Sequence, residues 1–306
     1  MLRIYYPMMK VLLFVTWIIN SNTLIYASKN SSVVTQQSTD QKSEFLRVKR
    51  TVDHKPLSLD TVIAKYQVSL GDESEESEVT VDLVAVVHVA DAEYYKKLNR
   101  IFETYDAVLY ELIAPEGTRP KFGEKSKSSH PIGKLQLGMK NMLDLSFQLS
   151  EINYTKSNFV HADLSPEQFS QSMKNRGESF VEMLFKVMLQ SMVLQKSNEG
   201  ISDGEVILAF MSPNRALSLK KLLAKQFESF ESTIAMFEGS SGSTIISERN
   251  AQAIKVLSSQ IALKKHKIAI FYGAGHMPDL EKRLINDFSM ELVDRTWIPA
   301  WDLTGK

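Results

Sequence analysis

Residues 267–280, KIAIFYGAGHMPDL, constrain this chain more than any other stretch. Ile268, Ala269, Ile270 and Phe271 form an unbroken apolar run of strand length, the pattern of a strand covered on both faces. Gly273 and Gly275 permit a sharp reversal of the backbone. Leu280, Leu284 and Phe288 then recur at helical spacing, which puts His276 where a helix begins. A side chain leaving the carboxyl end of such a strand enters the crevice where open α/β sheets place their ligands. Taken alone, one histidine here is more simply a loop cap than a site.

The chain repeats the arrangement upstream. Residues 81–91, VDLVAVVHVAD, are a second apolar run, and it ends in His88. A helix follows, with Asp91 as its expected N-cap and Tyr95, Leu98, Ile101, Phe102 and Tyr105 as its apolar stripe. Two histidines at the ends of two buried strands argue against two unrelated caps. Residues 106–113, DAVLYELI, read as the next strand, which completes a strand–helix–strand crossover unit. Glu111 falls inside that apolar run, where a carboxylate is costly unless a partner or a metal compensates it.

Further candidates follow from position. Residues 158–162 predict a short strand leading into HADLSPEQF, where Ser165, Pro166 and Gln168 have the composition of a capped helix start. Asp163 lies between the two, either as an acid favoured by the helix dipole or as a site residue. Residues 244–264 predict a helix on which Ile246, Asn250, Ala253, Leu257 and Ile261 share one face. Asn250 therefore interrupts an apolar stripe, with Arg249 beside it, and the pair is either a satisfied structural network or part of a site.

Residues 59–70 and 78–89 read as strands joined by an acidic, solvated turn at 71–78, residues 114–131 as a loop, and residues 132–150 as helical. Residues 179–196 and 217–237 predict amphipathic helices rich in Phe and Met, a helical cap or subdomain core, and residues 290–297 an edge strand. The expected fold is α/β: a single domain with a mixed central sheet flanked by helices and a helical cap or insertion. The strands ending at His88, near Glu111 and near His276 are expected to be neighbours in that sheet.

The first 27 residues have the form of an export signal. Arg3 and Lys10 form a basic start, residues 11–19 a short apolar core, and Ala27 a cleavage position. The core falls short of the roughly 18–20 residues that a spanning helix needs, so membrane association is expected only if the segment stays uncleaved. Residues 28–51 are rich in Ser, Gln, Lys and Thr. The expected organisation is a signal at 1–27, a disordered linker at 28–58 and a folded domain at 59–306, in a periplasmic or secreted protein. The absence of cysteine excludes disulfides, thiol nucleophiles and thiolate metal sites. A formal net charge of zero gives no reason to expect a nucleic-acid partner. The sequence contains no Walker loop, GxGxxG, HExxH or GxSxG motif.

These residues together resemble the TraB/GumN/Tiki family over roughly residues 81–294. That family carries two GxxH-type histidine motifs, a glutamate on the strand after the first, and an Arg-Asn pair on a helix before the second. Gly273-Ala-Gly-His276 followed by MPDL is similar to the second motif, Glu111 within LYELIAP to the glutamate, and Ser247-Glu-Arg-Asn250 to the helix signature. The first motif departs from the pattern, because Ala85 stands where the family has glycine before His88. The family is functionally mixed: Tiki proteins are regarded as metal-dependent proteases, and TraB-type members are associated with blocking a peptide pheromone.

The resemblance implies a hydrolase acting on peptide or amide bonds of a peptide or protein substrate. His88, His276 and Glu111 would bind a divalent ion such as Mn, Co or Zn, and the ion would activate a water. Glu111 or Asp163 is then the candidate general base, with Arg249 at the rim and Asn250 beside it as stabilisers of a developing oxyanion. The alternative is a non-catalytic pocket that holds a peptide without cleaving it.

Overall fold

The computed structural model describes residues 45–68, 79–123, 143–179, 203–227, 238 and 242–305. In chain order the elements are β1 (Leu46–Arg50), β2 (Pro56–Val68), β3 (Thr80–Val86), β4 (Val89–Ala90), α1 (Ala92–Phe102), β5 (Ala107–Tyr110), β6 (Ser146–Phe147) and the single turn α2 (Gln148–Glu151). They continue with β7 (Phe159–His161), α3 (Pro166–Arg176), α4 (Asp203–Met211), α5 (Arg215–Phe227), α6 (Arg249–Ala262), β8 (Lys267–Gly273), α7 (Met277–Phe288) and β9 (Met290–Asp302).

The architecture is a single α/β domain built on a seven-stranded mixed sheet. Four strands are parallel neighbours in the order β3, β8, β5, β7. The apolar runs read from the sequence are these strands. Leu83, Val84, Leu109, Ile270 and Phe271 have no exposed surface, which a parallel sheet covered on both faces requires. The antiparallel part is built on β2. One edge of β2 takes β9 along almost its whole length, and the other takes β1 and β3 in succession. Helices α4 and α5 form the helical addition. Phe227 meets Trp301 edge to face at 5.4 Å, and Lys220 pairs with Asp91 at 2.6 Å.

Several local expectations are corrected. The linker expected over 28–58 already contains β1 and the start of β2, with Leu46 and Ser58 buried, because these residues pair into the sheet. Within residues 132–150, Ser146–Phe147 is a strand paired with Val89–Ala90, since the short β4 supplies a partner that local periodicity cannot show. Asp91 stands at the N-cap of α1 but makes no capping bond, because Lys220 and the Asp302 amide take its carboxylate. Gly273 has φ −53° and ψ 140°, so the turn before His276 needs no left-handed residue there. The capping box at α3 forms as expected: the Gln168 amide donates to Ser165 Oγ at 3.2 Å, and the Ser165 amide donates to Gln168 Oε1 at 2.8 Å. The signal segment, the turn at 71–78 and residues 180–196 of an expected helix lie outside the described residues.

Asp82, toward the start of β3, is 4% exposed. One carboxylate oxygen accepts from Tyr105 Oη at 2.5 Å, and the other has no partner among the described residues. Burial pushes this carboxyl above its usual range, against the Tyr105 hydroxyl, Lys65 and Lys267. A raised native value means that the folded state favours the proton. The group's contribution is therefore favourable in acid and is lost as pH rises through that native value. Asp82→Asn removes this dependence. The stability of the variant relative to wild type is expected to shift in the variant's favour between pH 4 and pH 7, read as the difference in urea midpoints. A difference that is constant over that range would show that Asp82 is ionised at the same pH in both states.

Candidate functional site at the carboxyl ends of the parallel strands

Each of the four parallel strands delivers one acid or histidine just past its carboxyl end. His88 follows β3 in a bend, Glu111 follows β5 by one residue, Asp163 lies two residues beyond β7, and His276 closes a single 3₁₀ turn after β8. The strands are hydrogen-bonded neighbours, so these ends face one crevice. Glu111 is therefore not inside its strand, although its amide still bonds Phe271 O at 3.3 Å.

Arg249 fills the centre of the group. Its Nε donates to Asp163 Oδ1 at 3.0 Å, and its Nη2 donates to Asp163 Oδ2 at 2.6 Å and to Glu111 Oε1 at 2.7 Å. Its Nη1 lies 3.3 Å from His276 Nε2. The second Glu111 oxygen accepts from the Gly273 amide at 2.7 Å. Arg249 is 3% exposed, so it is the hub of the site and not its rim. A π-helical turn, Thr244–Glu248, precedes α6 and ends at this residue. Such turns are frequent at functional sites.

Asn250 is fully used in holding His276. Its Nδ2 donates to His276 O at 3.0 Å and to Asp279 Oδ2 at 2.8 Å, while its Oδ1 lies 2.7 Å from His276 Nδ1. The expected oxyanion donor is thus hydrogen-bonded to His276 and Asp279. Asp163 and Glu111 are likewise not free carboxylates, since both are ion-paired with Arg249. Tyr272 packs edge to face on His276 at 5.1 Å and donates to Ala162 O at 2.6 Å, which ties β8 to the loop carrying Asp163.

The charges interlock. Burial works to raise the Glu111 carboxyl, but the Arg249 guanidinium, followed by His276 and His88, overrides it and holds the group well below the usual carboxylate range. Burial works to lower Arg249, and Asp163 and Glu111 overcome it, so the guanidinium is more firmly protonated than usual. Burial pushes the His88 imidazole below its usual value, and Glu111 and Gln148 oppose this only in part. His88 is the one member of the group that keeps partial solvent exposure, whereas Glu111, Asp163, Arg249, Asn250 and His276 are buried.

Sequence reasoning missed Gln148, whose Oε1 lies 2.7 Å from His88 Nδ1. No local signal marked it. Gln148 is brought there by the pairing of β4 with β6, which places its own amide 3.0 Å from His88 O.

The expected divalent ion can be tested against these donors. His88 Nε2 is buried without a partner among the described residues, as an imidazole ligand would be. The carboxylates do not fit. Arg249 already supplies the positive charge at Glu111 Oε1 and Asp163, and it also faces His276 Nε2. An ion bound by Glu111 and His276 would sit against that guanidinium. As arranged, an ion at Glu111 and His276, whose Nε2 lies 3.5 Å from Glu111 Oε1, would compete with Arg249 for the carboxylate. The chain matches no family model, no curated protein and no solved structure.

Proposed function

We propose that this chain is a hydrolase acting on peptide or amide bonds, with His88 as the general base of a site organised by Arg249. The observation that carries this reading is the unpartnered, buried Nε2 of His88, on the most exposed residue of the cluster. Burial keeps the imidazole neutral at pH 7, as a base must be. In the proposed step, His88 Nε2 takes a proton from a water as that water attacks the substrate carbonyl. Arg249 Nη1, which lies 3.3 Å from His276 Nε2, is the donor assigned to the developing oxyanion. Glu111 and Asp163 hold the guanidinium in place and do not exchange protons. The substrate class rests on the family resemblance.

The test is incubation of the purified protein with a defined peptide mixture, with and without a chelator, alongside metal analysis. The expected result is cleavage, seen as new amino termini, that survives chelation. Stoichiometric divalent metal whose removal abolishes cleavage would overturn the metal-free route and return His88 and His276 to the role of ligands. Peptide binding without cleavage would replace the hydrolase with a binding module.

A further inference from the structure

The two histidines are held in the same way by two carboxamides from unrelated parts of the chain. Asn250 Oδ1 lies 2.7 Å from His276 Nδ1, and Gln148 Oε1 lies 2.7 Å from His88 Nδ1. In each pair a second bond from the same residue reaches the backbone oxygen of its histidine. Asn250 Nδ2 donates to His276 O at 3.0 Å, and the Gln148 amide donates to His88 O at 3.0 Å. Asn250 Nδ2 is committed as a donor to two acceptors, His276 O and Asp279 Oδ2, so its Oδ1 is the group that faces Nδ1. Gln148 is placed likewise, with Nε2 donating to Tyr154 Oη at 2.9 Å and Oε1 toward His88 Nδ1. A carboxamide oxygen accepts only from a protonated ring nitrogen.

We infer that Gln148 is a positioning residue that fixes His88 as the Nδ1–H tautomer and leaves the lone pair on its unpartnered Nε2, as Asn250 fixes His276. Gln148 is 1% exposed, and its side chain is held between His88 Nδ1 and Tyr154 Oη while its backbone amide bonds His88 O. Fixing the tautomer of a functional imidazole through its second nitrogen is the general means by which a histidine is aimed. The inference rests on the reading of His88 as the base, but its primary readout does not.

The experiment is nitrogen-15 NMR of the imidazoles at pH 8, where the chemical shifts separate Nδ1–H from Nε2–H. It would be run on wild type, Gln148→Leu and Gln148→Glu. Wild type and Gln148→Glu, which keeps an acceptor oxygen facing Nδ1, are expected to show His88 as Nδ1–H. In Gln148→Leu, Nε2–H is expected to become the major neutral form. Turnover in Gln148→Leu is expected to fall on the order of 10- to 100-fold with KM unchanged, the scale on which losing an orienting partner acts, and Gln148→Glu is expected to restore most of it. An Nε2–H signal for His88 in wild type, or an unchanged Nδ1–H signal in Gln148→Leu, would overturn the inference. If Gln148→Leu does not fold, the wild-type and Gln148→Glu spectra decide it, and Nε2–H in either overturns it. A tautomer that responds as expected in a protein that cleaves nothing would sink the hydrolase reading and leave the positioning role intact.

Discussion

Arg249→Ala is expected to destabilise the fold by about 3–5 kcal/mol, the scale for removing one partner of a buried ion pair. The reason is local and specific. Arg249 is the shared counter-ion of Glu111 and Asp163, all three are 3% exposed, and the guanidinium makes three hydrogen bonds to the two carboxylates. Removing it strands two buried acids at once. The Gly273 amide still serves Glu111, and the Leu164 amide serves Asp163, but neither supplies a charge. The check is the denaturant midpoint at pH 7, with Glu111→Gln added in the Arg249→Ala background. The double variant is expected to recover part of the loss, since it removes one stranded carboxylate, and the two changes should be strongly non-additive. A loss below about 1 kcal/mol for Arg249→Ala would mean that the carboxylates have another compensating cation. That outcome would reopen a metal at Glu111.

His88→Ala is expected to lower turnover on the order of 10²–10⁴-fold, the usual contribution of a positioned general base. Its effect on stability is expected to be smaller than that of Arg249→Ala. His88 is partly exposed, and its removal leaves one buried acceptor, Gln148 Oε1, without its partner, a cost of about 1–3 kcal/mol. The two substitutions should therefore separate. One mainly breaks the fold, and the other mainly breaks the reaction. The measurement is kcat/KM for the cleaved peptide beside the unfolding midpoint of the same preparation. Turnover within twofold of wild type in a folded His88→Ala protein would remove His88 from the chemistry.

How much of this was legible in the sequence differs from element to element. The buried strands announced themselves through unbroken apolar runs. The order β3, β8, β5, β7 then delivered what those runs implied, with His88, His276 and Glu111 just past the ends of three adjacent strands. The α3 cap was equally plain, because Ser165 and Gln168 act on each other within one turn. The β1 strand was not read because its alternation, Leu46 and Val48 between basic residues, covers only five residues and its support comes from pairing with β2.

At the site, the identities of Glu111, Asp163, Arg249, Asn250 and His276 were legible and their partnerships were not. A carboxylate beside an apolar strand signals that a compensating charge exists, but only packing decides whether it is a guanidinium or an ion. Here α6 brings Arg249 against both acids. That single placement pairs Asp163 and Glu111 with one guanidinium and sets Asn250 against His276. Gln148 could not be read at all. Its role depends on the β4–β6 pairing, a long-range contact between two short polar and apolar segments with no period of their own. Local sequence determined which strands are buried and which helix is capped, because those effects act within a few residues. The tertiary structure decided which nitrogen and which oxygen of each side chain is occupied, because that depends on partners brought together only when the sheet closes.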